Sequence, residues 1–186
     1  MVPVLSLLIP IVVSAVFVFI ASSIIHMATP WHKNDLKKLP NEDAALNALR
    51  ALNLPPGNYG YPKPDSMKEM GSPEFQAKAK AGPVGFMTVK PSWNFSMGGT
   101  LAQWFVYSLI VSLFAGYIAG VAFGPGTEYL RIMQVAGTVG FVGYSLAQMH
   151  ESIWWGKNWG ATIRSMIDGL IYGLLTAGTF GWLWPR

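Results

Sequence analysis

The chain has 186 residues, 52% of them hydrophobic, with 13 Lys and Arg against 9 Asp and Glu for a net charge of +4. It contains no cysteine, which excludes disulfides, thiolate metal sites and Cys-ligated iron–sulfur clusters within this subunit. The positive balance does not point to nucleic acid, because the excess lies beside apolar runs, where anionic headgroups and the positive-inside bias account for it.

The first run, 2–25, has no charged residue and is rich in Val, Ile, Leu and Phe. It is long enough to cross a hydrocarbon layer of about 30 Å as a helix. Met1-Val2-Pro3 lacks a basic leader and the apolar stretch exceeds that of a signal peptide, so a retained helix is expected, kinked near Pro10.

A charged interval, 27–100, follows, too short and too poor in apolar residues for an independent domain. It reads as a cytoplasmic lid of short helices and loops. Pro40-Asn41-Glu42-Asp43 carries helix-start chemistry, and Leu46, Leu49 and Leu52 recur at helical spacing until Pro55-Pro56-Gly57. Ser72-Pro73-Glu74 starts a second helix that Gly82-Pro83 stops, and 84–89 fits a short strand. The stretch 59–64 is turn-rich and stiffened by proline.

Three more runs, 101–123, 130–149 and 163–184, each approach the length of a crossing, giving an all-α membrane protein with four transmembrane helices. Gly124-Pro125-Gly126 makes the second and third a tight hairpin, and Trp159-Gly160 precedes the fourth. Glu128 is positioned to favour the third helix's dipole and to reach Arg131. The intervals 27–100 and 150–162, with Arg164 just beyond, carry eleven Lys and Arg, and the opposite side carries Arg131 and Arg186. Both termini are therefore expected outside and both large connections in the cytoplasm. Trp31, Trp93, Trp104, Trp154, Trp155 and Trp159 fall near the cytoplasmic interface, as amphipathic rings prefer.

Small residues recur four apart at Gly116, Gly120 and Gly124 and at Gly169, Gly173 and Ala177, while Gly137, Gly140 and Gly143 recur every three. In lipid such stripes let helix backbones approach closely, either within one chain or against another subunit. Asp168 is the one acidic residue well inside a predicted span, and Arg164, four residues earlier on the same face, is its expected partner at the cytoplasmic edge. His26, His32 and His150 collect at the same level, with His26, His150 and Glu151 the residues worth testing as ligands of haem or a divalent metal. No nucleophile elbow or phosphate loop is present, so an enzyme is the minority reading and no cofactor is predicted.

Several segments read together: His26-Met27, Trp31-His32-Lys33-Asn34-Asp35, 39–43, Gly82-Pro83-Val84-Gly85, 167–172 and 179–185. Through them the chain resembles a group of uncharacterised bacterial inner-membrane proteins with four predicted transmembrane helices. The resemblance implies a bacterial inner membrane and carries over no catalytic or binding residue. Three readings of function follow. The first is an accessory or scaffolding subunit of a larger membrane assembly, partnered by lipid and by other subunits or itself through the small-residue faces. The second is a small transporter or channel component using Asp168. The third is haem or metal binding through His26 and His150.

Overall fold

The computed structural model describes residues 1–90 and 97–186; Trp93, expected at the interface, lies outside the described residues. The fold is mostly helical and divides into two units, Met1–Leu36 with Ser96–Arg186, and Lys37–Phe95.

In the first unit a 3-10 turn, Val4–Leu7, leads into helix α1 (Leu8–Ser23), which continues as a π-helical segment, Ile24–Ala28. Pro10 falls in the first turn of α1, where a backbone N–H has no helical partner anyway, so it costs no helical hydrogen bond there. The π segment ends at Thr29, held extended (φ −112°, ψ 153°) before Pro30, a residue that disfavours helical geometry in its predecessor. Helix α5 (Gly98–Ala122) is unbroken. Helix α6 (Tyr129–Phe141) gives way to a second π segment, Val142–Leu146, and then to α7 (Gln148–Trp155). Helix α8 (Trp159–Trp182) starts at Asn158, whose side chain accepts from the Gly160 and Ala161 amides. The run expected as one helix over 130–149 is thus broken by a π turn and then extended to Trp155. The val4–Ala28 region and α5 are long and apolar enough to cross a membrane.

Along α5, small and hydroxyl side chains dominate the buried face, together with Val111. The buried face of α5 carries Ser108, Ser112, Ala115, Gly116, Ala119 and Gly120, while Ile110, Leu113, Phe114 and Tyr117 lie exposed. Gly116 faces Phe180 and Ile11, and a Cβ on Gly120 would come within 2.5 Å of the Val2 carbonyl, whose residue donates its own amide to Gly120 at 2.8 Å. Gly173 lies against the Phe141 backbone, Gly137 against Ala177, and Gly169 against Tyr144 and Ser145 of the second π segment. Gly124 ends α5, and its carbonyl accepts from Thr127 Oγ1 and Trp184 Nε1. All six packing residues named from sequence therefore touch neighbouring helices or segments of this same chain. Glu128 stands at the start of α6, but its carboxylate makes no capping hydrogen bond.

The second unit holds α2 (Glu42–Ala51), capped by Asn41, a short α3 (Met67–Met70), and α4 (Pro73–Ala81), capped by Ser72 and ended at Gly82 with φ 64°. Strand β2 (Gly85–Val89) pairs antiparallel with β1 (Gly57–Tyr61), in register Gly57 to Val89 and Tyr61 to Gly85. The strand at 84–89 is legible from sequence, whereas β1 falls where turns are expected. It closes immediately before Pro62, whose missing N–H cannot extend a ladder.

Candidate functional site

The turn after the first π segment carries the chemistry. Two successive backbone hydrogen bonds, Lys33 N–H to Pro30 and Asp35 N–H to His32, both at 3.0 Å, curl residues 30–35 back over α8. This sets Trp31, His32 and Asp35 beside Asp168 and Arg164. Asp168 is 3% exposed, so its two oxygens need partners. Trp31 Nε1–H donates to Oδ1 at 3.0 Å, and His32 Nε2 lies 2.7 Å from Oδ2. The other ring nitrogen, His32 Nδ1, lies 2.6 Å from Asp35 Oδ2, and Asp35 Oδ1 accepts from Arg164 through Nε at 2.8 Å and through its terminal nitrogen.

The pair expected from sequence is therefore not formed. Arg164 and Asp168 do share a helical face, but Arg164 is bound by Asp35 and Asp168 by Trp31 and His32. For Asp35, burial pulls the carboxyl upward, but hydrogen bonds from His32 and Arg164, together with their charges, outweigh it and hold the group below its usual value.

His26 completes the cluster from the π segment. Its ring stacks on that of His32, with centroids 4.4 Å apart and planes 13° from parallel, and its Nδ1–H donates to the Ser22 carbonyl at 3.0 Å. That bond leaves the Nε2 lone pair free. One ligand atom from each of His26, His32 and Asp168 falls within 4.8 Å of the others, and among the described residues these three are the group suited to hold a metal ion. His150 and Glu151, expected as ligands with His26, sit in α7 outside this group. The contacts missed from sequence are those that Trp31 and His32 make with Asp168 and that Asp35 makes with His32 and Arg164.

An ion bonded at about 2.0–2.2 Å spans ligand atoms up to about 4.2 Å apart, so loading the cluster would draw it in by up to ~0.6 Å, replace the His32–Asp168 hydrogen bond, and turn one imidazole out of the stack so that both ring lone pairs meet the ion. Each of the three side chains also has its second polar atom held by another group, as metal-binding side chains usually do. His26 is oriented by a backbone carbonyl, His32 by the Asp35 carboxylate, and Asp168 by the Trp31 indole. Asp35 is in turn fixed by Arg164.

Two cavities are lined by Asp168. One, of about 420 Å³, also includes His26, Trp104, Tyr144 and Tyr172. The other, of about 600 Å³, includes Trp31, Arg164 and Ile171. Both π segments contribute to the first cavity's wall, through His26 and Met27 and through Tyr144. Single-turn π distortions recur at functional sites because they re-aim side chains from an otherwise regular helix. No protein-family model, curated protein or solved structure matches the chain.

Proposed function

We propose that the chain is a four-span protein of a bacterial inner membrane that binds a first-row divalent cation at the cytoplasmic edge, through His26, His32 and Asp168. The observation that carries this is the outer support: all three ligands have their remaining polar atom fixed by a different group. Two imidazoles and one carboxylate with open positions suit Fe²⁺, Mn²⁺ or Zn²⁺, and leave room for a further ligand of the ion. Membrane residence is supported by the large apolar side chains that α1 and α5 turn outward, including Ile9, Val12, Ile20, Ile110, Leu113 and Phe114. In water, a patch of that extent is a liability. The lysine and arginine count supports termini outside and the 27–100 and 150–162 connections in the cytoplasm.

The small-residue faces are largely occupied within the chain, so an accessory subunit would meet its partners through other surfaces. A second reading, passage of the ion rather than its retention, is favoured by one observation, that Asp168 lines both cavities. Elemental analysis of the protein, purified in mild detergent from cells grown without added metal, tests the main reading. One bound ion per chain is expected in the native protein, and a much reduced content in H26A, H32A and D168N. A native protein with no ion that also fails to take one up would overturn it. Ion flux in proteoliposomes that D168N abolishes would favour passage.

A further inference from the structure

The cavity of about 420 Å³, which His26 and Asp168 line in part, carries further chemistry in the rest of its wall. Four aromatic rings form one side of it. Trp104 stacks on Tyr107 with centroids 5.6 Å apart, and Tyr172 meets Trp104 at 6.0 Å and Tyr144 at 5.5 Å, both edge to face. The polar groups in the wall are mostly committed elsewhere. Ser22 and Ser23 donate to the Phe19 carbonyl, Tyr107 to Gly143 and Ser165 to Ala161, while Trp104 Nε1–H is taken by Ser22 Oγ.

Tyr172 is the buried one that is not. Its side chain is 3% exposed, and among the described residues its hydroxyl is the one buried side-chain polar atom without a hydrogen-bond partner. Leaving such a donor unpaired is costly, and native structures normally satisfy it. A wall of aromatic faces with a buried unpartnered O–H at Tyr172, and further polar side chains at Thr100 and Gln148, suits a flat, largely apolar ring that brings acceptor oxygen. The volume lies within the roughly 300–1,000 Å³ typical of small-molecule sites. Leu101, Met27 and Met97 extend the lining with apolar surface, and Met27 and Met97 are themselves exposed. That leaves an apolar edge for a hydrocarbon tail.

We propose that this cavity binds the head group of a membrane quinone, with a ring carbonyl oxygen accepting the hydrogen bond of Tyr172. Ring packing against Trp104 and Tyr144 supplies the shape selection and Tyr172 the orientation. Binding of the ring does not require the ion, so the two sites stand or fall separately.

The test is titration of decylubiquinone into the full-length protein in detergent with a chelator present, so that failure of metal binding does not enter. The native protein is expected to gain thermal stability with saturation. Y172F, which deletes only the unpaired hydroxyl, is expected to bind about tenfold more weakly. On the native protein, the infrared carbonyl band of the bound quinone is expected to move to lower frequency, and that measurement needs no variant. Absence of a thermal shift, equal affinity in Y172F with an unmoved carbonyl band, or an equal response to choline as a cation probe for the aromatic wall would each overturn the proposal.

Discussion

Replacing Asp35 with asparagine is the sharpest probe of how the metal ligands are held. Asp35 is not itself a ligand: one oxygen faces His32 Nδ1 at 2.6 Å, and the other accepts from Arg164 at 2.8 Å. Asparagine offers a single acceptor oxygen to two donors. If that oxygen keeps His32, the amide hydrogens face the guanidinium; if it keeps Arg164, they face the imidazole. Either way a charge-assisted hydrogen bond, worth roughly 1.5–3 kcal/mol, is lost. The part felt at the ion is the loss of ligand orientation, about 10–100-fold in affinity, or about 1.4–2.7 kcal/mol. Competition titration of Zn²⁺ against a chelating dye measures this directly, with D65N as a control in the second unit. A D35N affinity within twofold of the native protein, while H32A binds poorly, would refute the supporting role of Asp35.

Other outcomes follow from the same geometry. Gly173→Ala puts a Cβ 2.9 Å from the Phe141 amide nitrogen and 3.2 Å from the Gly137 carbonyl oxygen, so backbone must move. It is expected to destabilise by about 1–3 kcal/mol in detergent unfolding; Gly99→Ala, with nothing within 4 Å, is expected to be neutral or slightly stabilising. In chelated, metal-free protein the lowered Asp35 carboxyl contributes stability that is present above the ordinary carboxylate value near 3.8 and is lost as pH falls through the lowered one. D35N should flatten that part of the acid-unfolding profile. Because the chain has no cysteine, single substitutions K157C and R186C report orientation cleanly. An impermeant maleimide applied to intact cells is expected to label R186C and spare K157C, and the reverse pattern would invert the topology.

How much of this was legible in the sequence depends on the distance over which each feature is specified. The apolar runs betray their helices because hydrophobicity and length are local properties, and Asn41 and Ser72 mark helix starts by side chains that cap within three residues. The π segments at Ile24–Ala28 and Val142–Leu146 have no comparable local sign. Strand β1 hides in Gly-Asn-Tyr-Gly-Tyr because its pairing comes from a segment about thirty residues away, as Thr88 bonding Asn58 illustrates.

The site itself was half visible. His26 and Asp168 stood out as a histidine at a helix end and an acid within an expected span. The i, i+4 spacing of Arg164 and Asp168 suggested a pair because the spacing permits one, but Asp35 competes for the arginine from 129 residues away. His32 reaches Asp168 from a similar distance, so neither periodicity nor spacing joins them. The usable signal was Trp31-His32-Lys33-Asn34-Asp35 itself, an indole, an imidazole and a carboxylate just past the end of the first helix.

X-ray absorption spectroscopy of the protein loaded with one equivalent of Zn²⁺ tests the central claim most directly. The account predicts two imidazoles and one or more oxygen ligands at about 2.0–2.2 Å, with an imidazole contribution lost from H26A and from H32A. An ion bound by oxygen alone, or a spectrum unchanged in both variants, would contradict it.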